Sequence, residues 1–390
     1  MDTDAYEGRE QSLAKHEILK RYLETLAFKI GQANQFRPEL TFNYVDGFSG
    51  PWESKTDDLS DTSPSLALQR LSAVQNDLRA SGRKFTVRAF FVSLDKRGAE
   101  SLGRLRDIFP GAEIEIVTGE FEAHIDAARR FVRVGRDPFA FLFIDPTGWT
   151  GFGLKAITPL LREGRGEVLL NFMTSKIHRF VETGQQHLIP SFVDLFGDAT
   201  YRDAWRDLDG PKREERMVDT YCARLKQAGG YLHCVSAVIL NPTSDRTHYH
   251  LIYGTRSDEG LVVFRDVERK GIETQRKLRA EAKQRGRVSR SGQGELFDGA
   301  VLVTRSYEDE LRERYLPRAI QRLDEMIGAG GEVAWDELVR RALQVPLVSE
   351  ADVKEWLKEQ RARGDVEVLG LEPSERVPKR RHNHRVRRVT

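Results

Sequence analysis

The chain has no apolar run able to cross a bilayer: its longest, FAFLFI at 139–144, is far short of the ~18 residues a membrane helix needs. Cysteine is nearly absent. Cys222 and Cys234 have neither metal-ligand spacing nor the density of a disulfide scaffold. The opening MDTDAYEGRE is acidic and lacks an apolar h-region, so it is not expected to act as a secretory leader. These shortages together point to a reducing cytoplasm and away from the membrane. Neither G-x-G-x-x-G nor G-x-x-x-x-G-K-[ST] occurs, which argues against dinucleotide and P-loop sites. The net charge is only +2, so no whole-chain field draws nucleic acid.

What is present is ordinary globular material, 39% hydrophobic and 31% charged over 390 residues, enough for two to three domains of about 150 residues each. Residues 12–34 carry Leu13, Ile18, Leu19, Tyr22, Leu23, Leu26 and Ile30 at the spacing of one helix face. Short, nearly continuous apolar runs follow at 40–46, 85–95, 112–120, 139–146 and 166–172. Strands buried on both faces read this way in parallel sheets, and the helical patterns between them imply βαβ units. Two more runs, 231–241 and 247–255, are joined by PTSDR, a hairpin signal. The fold class expected over 1–265 is therefore α/β, a Rossmann-like sheet of five parallel strands plus an antiparallel closing pair.

Residues 266–304 are charged and read as a polar, solvated helix running into a flexible linker around GRVSRSGQG. Residues 305–375 hold helical patterns and VEVLGLEP, expected as three helices and a β-wing, a winged helix-turn-helix domain. From Arg376 onward, RVPKRRHNHRVRRVT contains no acid. It is expected as a basic tail, either in contact with phosphate or merely solvated.

In open α/β sheets ligands bind beyond the carboxyl ends of the strands. Asp46, Asp95, Glu120 and Asp145 stand at four successive strand ends, where carboxylates can form charge-assisted hydrogen bonds to ribose hydroxyls, an exocyclic amine or an ammonium. A bland reading stands beside each. DGFSGP is also good β-turn sequence, and Asp95 and Glu120 are equally good helix N-caps.

YVDGFSGPW after the KHEILKRYL helix, FIDPTGW at the fourth strand and LLNF at the fifth resemble the three-Cys-motif partner family (TcmP), which is class I methyltransferase-like. The resemblance covers about residues 12–270. It implies S-adenosylmethionine as cofactor: Asp46, Gly47, Phe48, Ser49 and Gly50 around its methionine part, Asp95 on the ribose, and Glu120 with Phe121 at the adenine. Asp145, Pro146 and Trp149 resemble a loosened acid-Pro-Pro-aromatic motif of amino-methyltransferases, with Thr147 in place of the second proline. Trp52, where a glycine is common, would cap or narrow the pocket. The family name implies a three-cysteine partner, an iron–sulfur or radical enzyme. The winged helix and basic tail extend the expectation to nucleic acid as acceptor. The alternative is a catalytically inactive scaffold that binds DNA or a protein through its winged helix.

His248 and His250 share one strand face without an evident third ligand, so no metal is expected there. His382 and His384 carry still less of that signal. Lys15 and His16 read as solvated positions on the first helix.

Overall fold

Every apolar run read as a strand folds as one. The structure, a computed structural model, describes residues 10–33, 39–50, 54, 59–182, 185–208, 210–291, 306–328 and 330–389. The strands of the large sheet are β1 (Glu39–Asp46), β2 (Lys84–Ser93), β3 (Ala112–Thr118), β4 (Phe139–Ile144), β5 (Arg165–Phe172), β6 (His233–Leu240) and β7 (Thr247–Thr255). The helices are α1 (Glu10–Ala33), α2 (Ser63–Ala80), α3 (Lys96–Gly103), α4 (Leu105–Ile108), α5 (Ile125–Val132), α6 (Leu154–Leu161), α7 (Thr174–Glu182), α8 (Ile189–Phe196), α9 (Gly210–Gly229), α10 (Asp258–Ser291), α11 (Tyr307–Gly328), α12 (Trp335–Ala342) and α13 (Glu350–Arg363). Sheet order is β3-β2-β1-β4-β5-β7-β6. The chain is thus an α/β protein with a mixed, mostly parallel, seven-stranded sheet. Only β7 runs against its neighbours. The expected antiparallel closing pair is one reversed strand inserted beside β5, because a hairpin from the edge strand β6 has to fold inward.

Alternation along β4 shows why its run has no polar residue. Phe139, Phe141 and Phe143 enter the core shared with α1, α2 and α10, while Ala140, Leu142 and Ile144 enter the core under α5, α6 and α9. With both faces covered, a parallel strand has no solvent side to mark. Edge strand β3 is half-buried and keeps Glu113 and Glu115 outward. The β6–β7 turn is held by the Asn241 side chain, which accepts from the Thr243 and Ser244 amides at 3.1 and 3.0 Å.

Two expectations about the C-terminal third are corrected. The charged helix begins at Asp258 and is not a solvated rod. Arg265, Glu268, Gln275 and Arg279 on it are buried. Arg265 donates to the carbonyls of Ser236 (2.8 Å) and Leu343 (2.9 Å) and to Glu268 (2.6 Å), and Glu268 also accepts from the Leu347 amide. Charges that face two backbones look, in sequence, like charges that face water. The linker expected around 286–294 is helical as far as Ser291, and 292–305 lie outside the described residues.

The second correction concerns the tail. With β8 (Glu332–Ala334), β9 (Val366–Leu369) and β10 (Arg385–Arg388), the chain forms a second, antiparallel sheet in the order β8-β10-β9. Residues expected as a loose basic tail therefore supply its central strand. Val386 is fully buried, while Arg387 pairs with Glu367 and Arg385 lies 3.8 Å from Glu332. One valine between arginines is too short for a period-two signal, and the partner acids lie far back in the sequence. Residues of α11, α12 and α13 belong to the same continuous apolar cluster as α1 and α10.

Candidate functional site

Strands β2 and β1 run out to one side of the sheet and β4 and β5 to the other, so β1 and β4 flank the switch point where a doubly wound sheet opens a crevice. Asp46 ends β1 and Asp145 follows β4. Both continue the residue series that faces α1. Asp46 is completely buried. Its Oδ1 accepts from the Phe48 amide at 3.0 Å and its Oδ2 from Ser63 Oγ at 3.1 Å. Burial pushes its carboxyl up to about 7, and the charge of Asp145 adds to this against the opposing hydrogen bonds. The first loop is drawn tightly onto the sheet: the Gly47 amide donates to Phe143 O and the Ser49 amide to Val92 O, at 3.1 and 2.8 Å. A Cβ on Gly47 would lie 2.9 Å from the Phe121 ring, and one on Gly50 would lie 2.7 Å from Ser93 Oγ. Only glycine permits either approach. Phe48 completes the cluster over Phe121, ring centroids 5.7 Å apart.

Asp145 is also buried, and it is doubly held. Its Oδ1 accepts from Asn171 Nδ2 at 2.7 Å, and its Oδ2 takes the ammonium of Lys15. Lys15 was read as solvated; it is buried. It lies three and four residues before Ile18 and Leu19, on the apolar face of α1, and that position was the available signal. Asn171, the asparagine of LLNF, keeps its Oδ1 buried with no hydrogen-bond partner among the described residues. Burial, then the nearby Asp46 and Asp145, hold the Tyr44 phenol well above its ordinary range, so Tyr44 remains protonated.

The structure brings Asp46, Gly47, Phe48, Ser49, Gly50, Phe121, Asp145 and Pro146 together. Asp95 and Glu120 stand exposed at the rim, beyond β2 and β3. Asp95 also caps α3, its Oδ1 accepting from the Gly98 amide at 2.8 Å. Glu120 opens the 3-10 turn Phe121–His124 without a side-chain cap bond. Neighbouring Glu122, not anticipated, ties this loop to the one after β4 by accepting from the Gly153 amide at 2.6 Å. Trp149 is half-buried and packs on α7 and α8. It stacks on Phe192 (5.4 Å, 17°), packs against Phe180 (5.0 Å) and donates to Ser191 Oγ at 3.0 Å. Trp52 lies outside the described residues.

No protein-family model matches the chain, and no curated protein does. Among solved structures, that of the citrinin polyketide synthase CMeT domain is similar at 12% identity and a TM-score of 0.26, over 56% of this chain. The match spans 47% of that solved chain, about half its length. So low a likeness carries no argument about fold or function.

Histidine chemistry elsewhere is structural in character. His250 is buried beside Glu214, Nε2 to Oε1 3.5 Å. Glu375, His382 and His384 are the one trio of potential ligands gathered within 4.8 Å among the described residues. There the Lys379 amide donates to His384 Nδ1 at 3.0 Å, which leaves the ring proton on Nε2, facing Glu375 at 3.2 Å. A neutral ring so oriented offers a hydrogen bond, not a lone pair, to an ion between them. No helix among the described residues is long and apolar enough to cross a membrane.

Proposed function

We propose that the chain is an S-adenosylmethionine-dependent methyltransferase of the class I, Rossmann-like type. The observation that carries this reading is the β1–β4 switch point with its glycine-drawn first loop, where a Cβ at Gly47 or Gly50 would collide with Phe121 or Ser93. A first loop at the strand ends beside a switch point is where a doubly wound sheet binds its ligand. The donor set fits such a cofactor: Asp95 for ribose hydroxyls, Glu120 and the Phe121 side for adenine, and carboxylates at Asp46 and Asp145 for positive charge. The orphaned Asn171 Oδ1 adds an acceptor awaiting a donor.

When bound, the cofactor supplies a methyl group activated on a sulfonium. The protein's part is then mostly positioning, since an in-line displacement is accelerated by holding its reactants in line. Asp46–Gly50 orient from one side of the crevice. Asp145, with the Pro146 carbonyl, accepts hydrogens from the acceptor on the other. Trp149 sets the shape of the acceptor wall through Phe180 and Phe192. The C-terminal unit has the helix, strand, helix, helix, strand, strand order of a winged helix, and we assign it to recruitment of the substrate or of a three-cysteine-motif partner.

A second reading has its own observation. Lys15 already occupies the Asp145 carboxylate, and Trp149 is committed to packing and to Ser191, which suits a scaffold that retains the cofactor crevice without turnover. Calorimetric titration with S-adenosylmethionine tests the first reading. Asp95→Ala should weaken binding by about 1–3 kcal/mol, the loss expected for hydrogen bonds to a charged group. Failure of the folded wild type to bind would refute it; binding without turnover on any nucleic-acid or protein acceptor would favour the scaffold.

A further inference from the structure

Helix α1 carries three lysines, Lys15, Lys20 and Lys29, and only Lys15 is buried. Lys20 answers Glu17 on its own helix at 3.2 Å, and Lys29 answers Glu259 of α10 at 2.7 Å. Lys15 instead crosses to Asp145, whose other oxygen accepts from Asn171 at 2.7 Å. The pair is closed to solvent, with 8% of the lysine side chain and 4% of the aspartate exposed. It also stands in the crevice, near enough to the first loop for the Asp145 charge to act on Asp46.

An amine held for methylation would sit on the Asp145 carboxylate. An amine is already there, and it is the chain's own. An acceptor from outside would have to displace the Lys15 ammonium and leave it as an unpaired buried charge, which is strongly unfavourable. Nor is α1 free to swing aside. Ile18, Leu19, Tyr22 and Leu23 are buried in the core, and α10 lies so close that a Cβ on Gly271 would stand 2.6 Å from Ile18. A one-carbon group delivered from within the crevice needs no such displacement.

We infer that Lys15 is itself a methyl acceptor, so that the protein methylates its own first helix. The inference rests on the methyltransferase reading above and names the acceptor as a lysine amine. Lys15 Nζ gives a proton to Asp145 Oδ2, a transfer that a sulfonium beside the ammonium promotes by like-charge repulsion. The Nζ lone pair then attacks the methyl carbon. An N–C bond forms, the S–C bond breaks, and its electron pair stays on sulfur as a neutral thioether. The positive charge moves to the methylated amine, Asp145 releases its proton to solvent, and the ion pair is restored. Asn171 Oδ1, buried and without a hydrogen-bond partner among the described residues, is a second acceptor for the amine's remaining hydrogens.

The test uses the full chain and S-adenosylmethionine with a deuterated methyl group. Calorimetry measures affinity for the cofactor and for its demethylated product, and mass spectrometry of the peptide carrying Lys15 reads the methyl. Wild type should gain the label on Lys15, not on Lys20 or Lys29, with a rate constant at saturating cofactor that is unchanged when the protein is diluted. An unlabelled methyl already on Lys15 of the purified protein, and absent from Asp145→Asn, is the same result reached during expression. Asp145→Asn should slow labelling about a hundredfold, the low end of what a positioned base contributes. Lys15→Gln keeps a donor for Asp145 but no ammonium, so its preference for the cofactor over the demethylated product should rise about tenfold as the like charge is removed. That ratio is read without any turnover. A wild type that labels Lys15 no faster than Lys20, or a preference that Lys15→Gln leaves unmoved, would overturn the inference. Cofactor binding with Lys15 unmethylated sinks this inference alone. Failure of the folded wild type to bind cofactor sinks the methyltransferase reading, and this inference with it.

Discussion

Asp46→Asn converts the buried acid at the switch point into a group that cannot ionise. The wild-type carboxyl, at 3.8 when unfolded, is raised to about 7 in the fold by burial. Below pH 4 both states are protonated and the residue costs nothing. As pH rises from 4 to 7 the unfolded chain releases a proton that the folded chain retains, so wild-type stability falls by about 1.4 kcal/mol per pH unit. Above pH 7 the loss is complete, at about 4 kcal/mol for a shift of about three units. The asparagine keeps Oδ1 for the Phe48 amide, and the Ser63 hydroxyl turns to accept from Nδ2. The variant should therefore become progressively more stable than wild type, the gap widening by about 3 kcal/mol between pH 5 and pH 8. Urea midpoints followed by circular dichroism at each pH, with slopes checked for equality, read this directly. A gap constant across that range would refute the buried, proton-retaining Asp46. A cationic ligand beside Asp46 favours its ionised form, so saturating S-adenosylmethionine should flatten the wild-type pH curve and leave the variant's unchanged.

Lys15→Met leaves Asp145 buried without its counter-charge and should cost about 3–5 kcal/mol of stability, measured by urea unfolding at pH 7; a loss under 1 kcal/mol would mean the pair is not closed in solution. Arg265→Met should cost a similar amount by stranding Glu268, whereas Arg265→Met with Glu268→Leu should recover most of it. A double variant as unstable as the single one would show that the carbonyl bonds to Ser236 and Leu343, not the ion pair, hold that junction. Truncation after His384 removes the central strand β10 and should strip hydrogen-exchange protection from the amides of Val333 and Glu367, which lie in the hydrogen-bonded pairs with Val386 and Arg387. Unchanged protection would return residues 385–390 to the status of a tail.

The parallel sheet was legible because hydrophobic burial on both faces writes itself as unbroken apolar runs, and each run at 40–46, 85–95, 139–146 and 166–172 is a strand. The acids that end them were legible as a set for the same reason. Their partners were not. Lys15 lies on an apolar helix face where a single charge reads as tolerated, and only the fold puts a carboxylate within its reach. Arg265 and Arg279 lie in a run so rich in charge that none of its members stands out. Arg279 nevertheless reaches the Asn241 and Ser244 carbonyls and two acids, Asp245 and Glu308. Strand β10 was hidden by its length and by arginines whose partners come from other segments. At Trp149 the motif pointed to chemistry, and the ring's packing on Phe180 and Phe192 was written in residues far along the chain.

Helix α1 has one end in the crevice and its flank on α10. The two run antiparallel, with Leu13 on Leu278, Ile18 against Gly271 and Lys29 bonded to Glu259 at 2.7 Å. Glu259 also holds Arg380 and Arg381 of the C-terminal unit, and α10 is pinned to that unit again through Arg265. The crevice carboxylate and the C-terminal unit are thus held by opposite ends of one helix packed on α10.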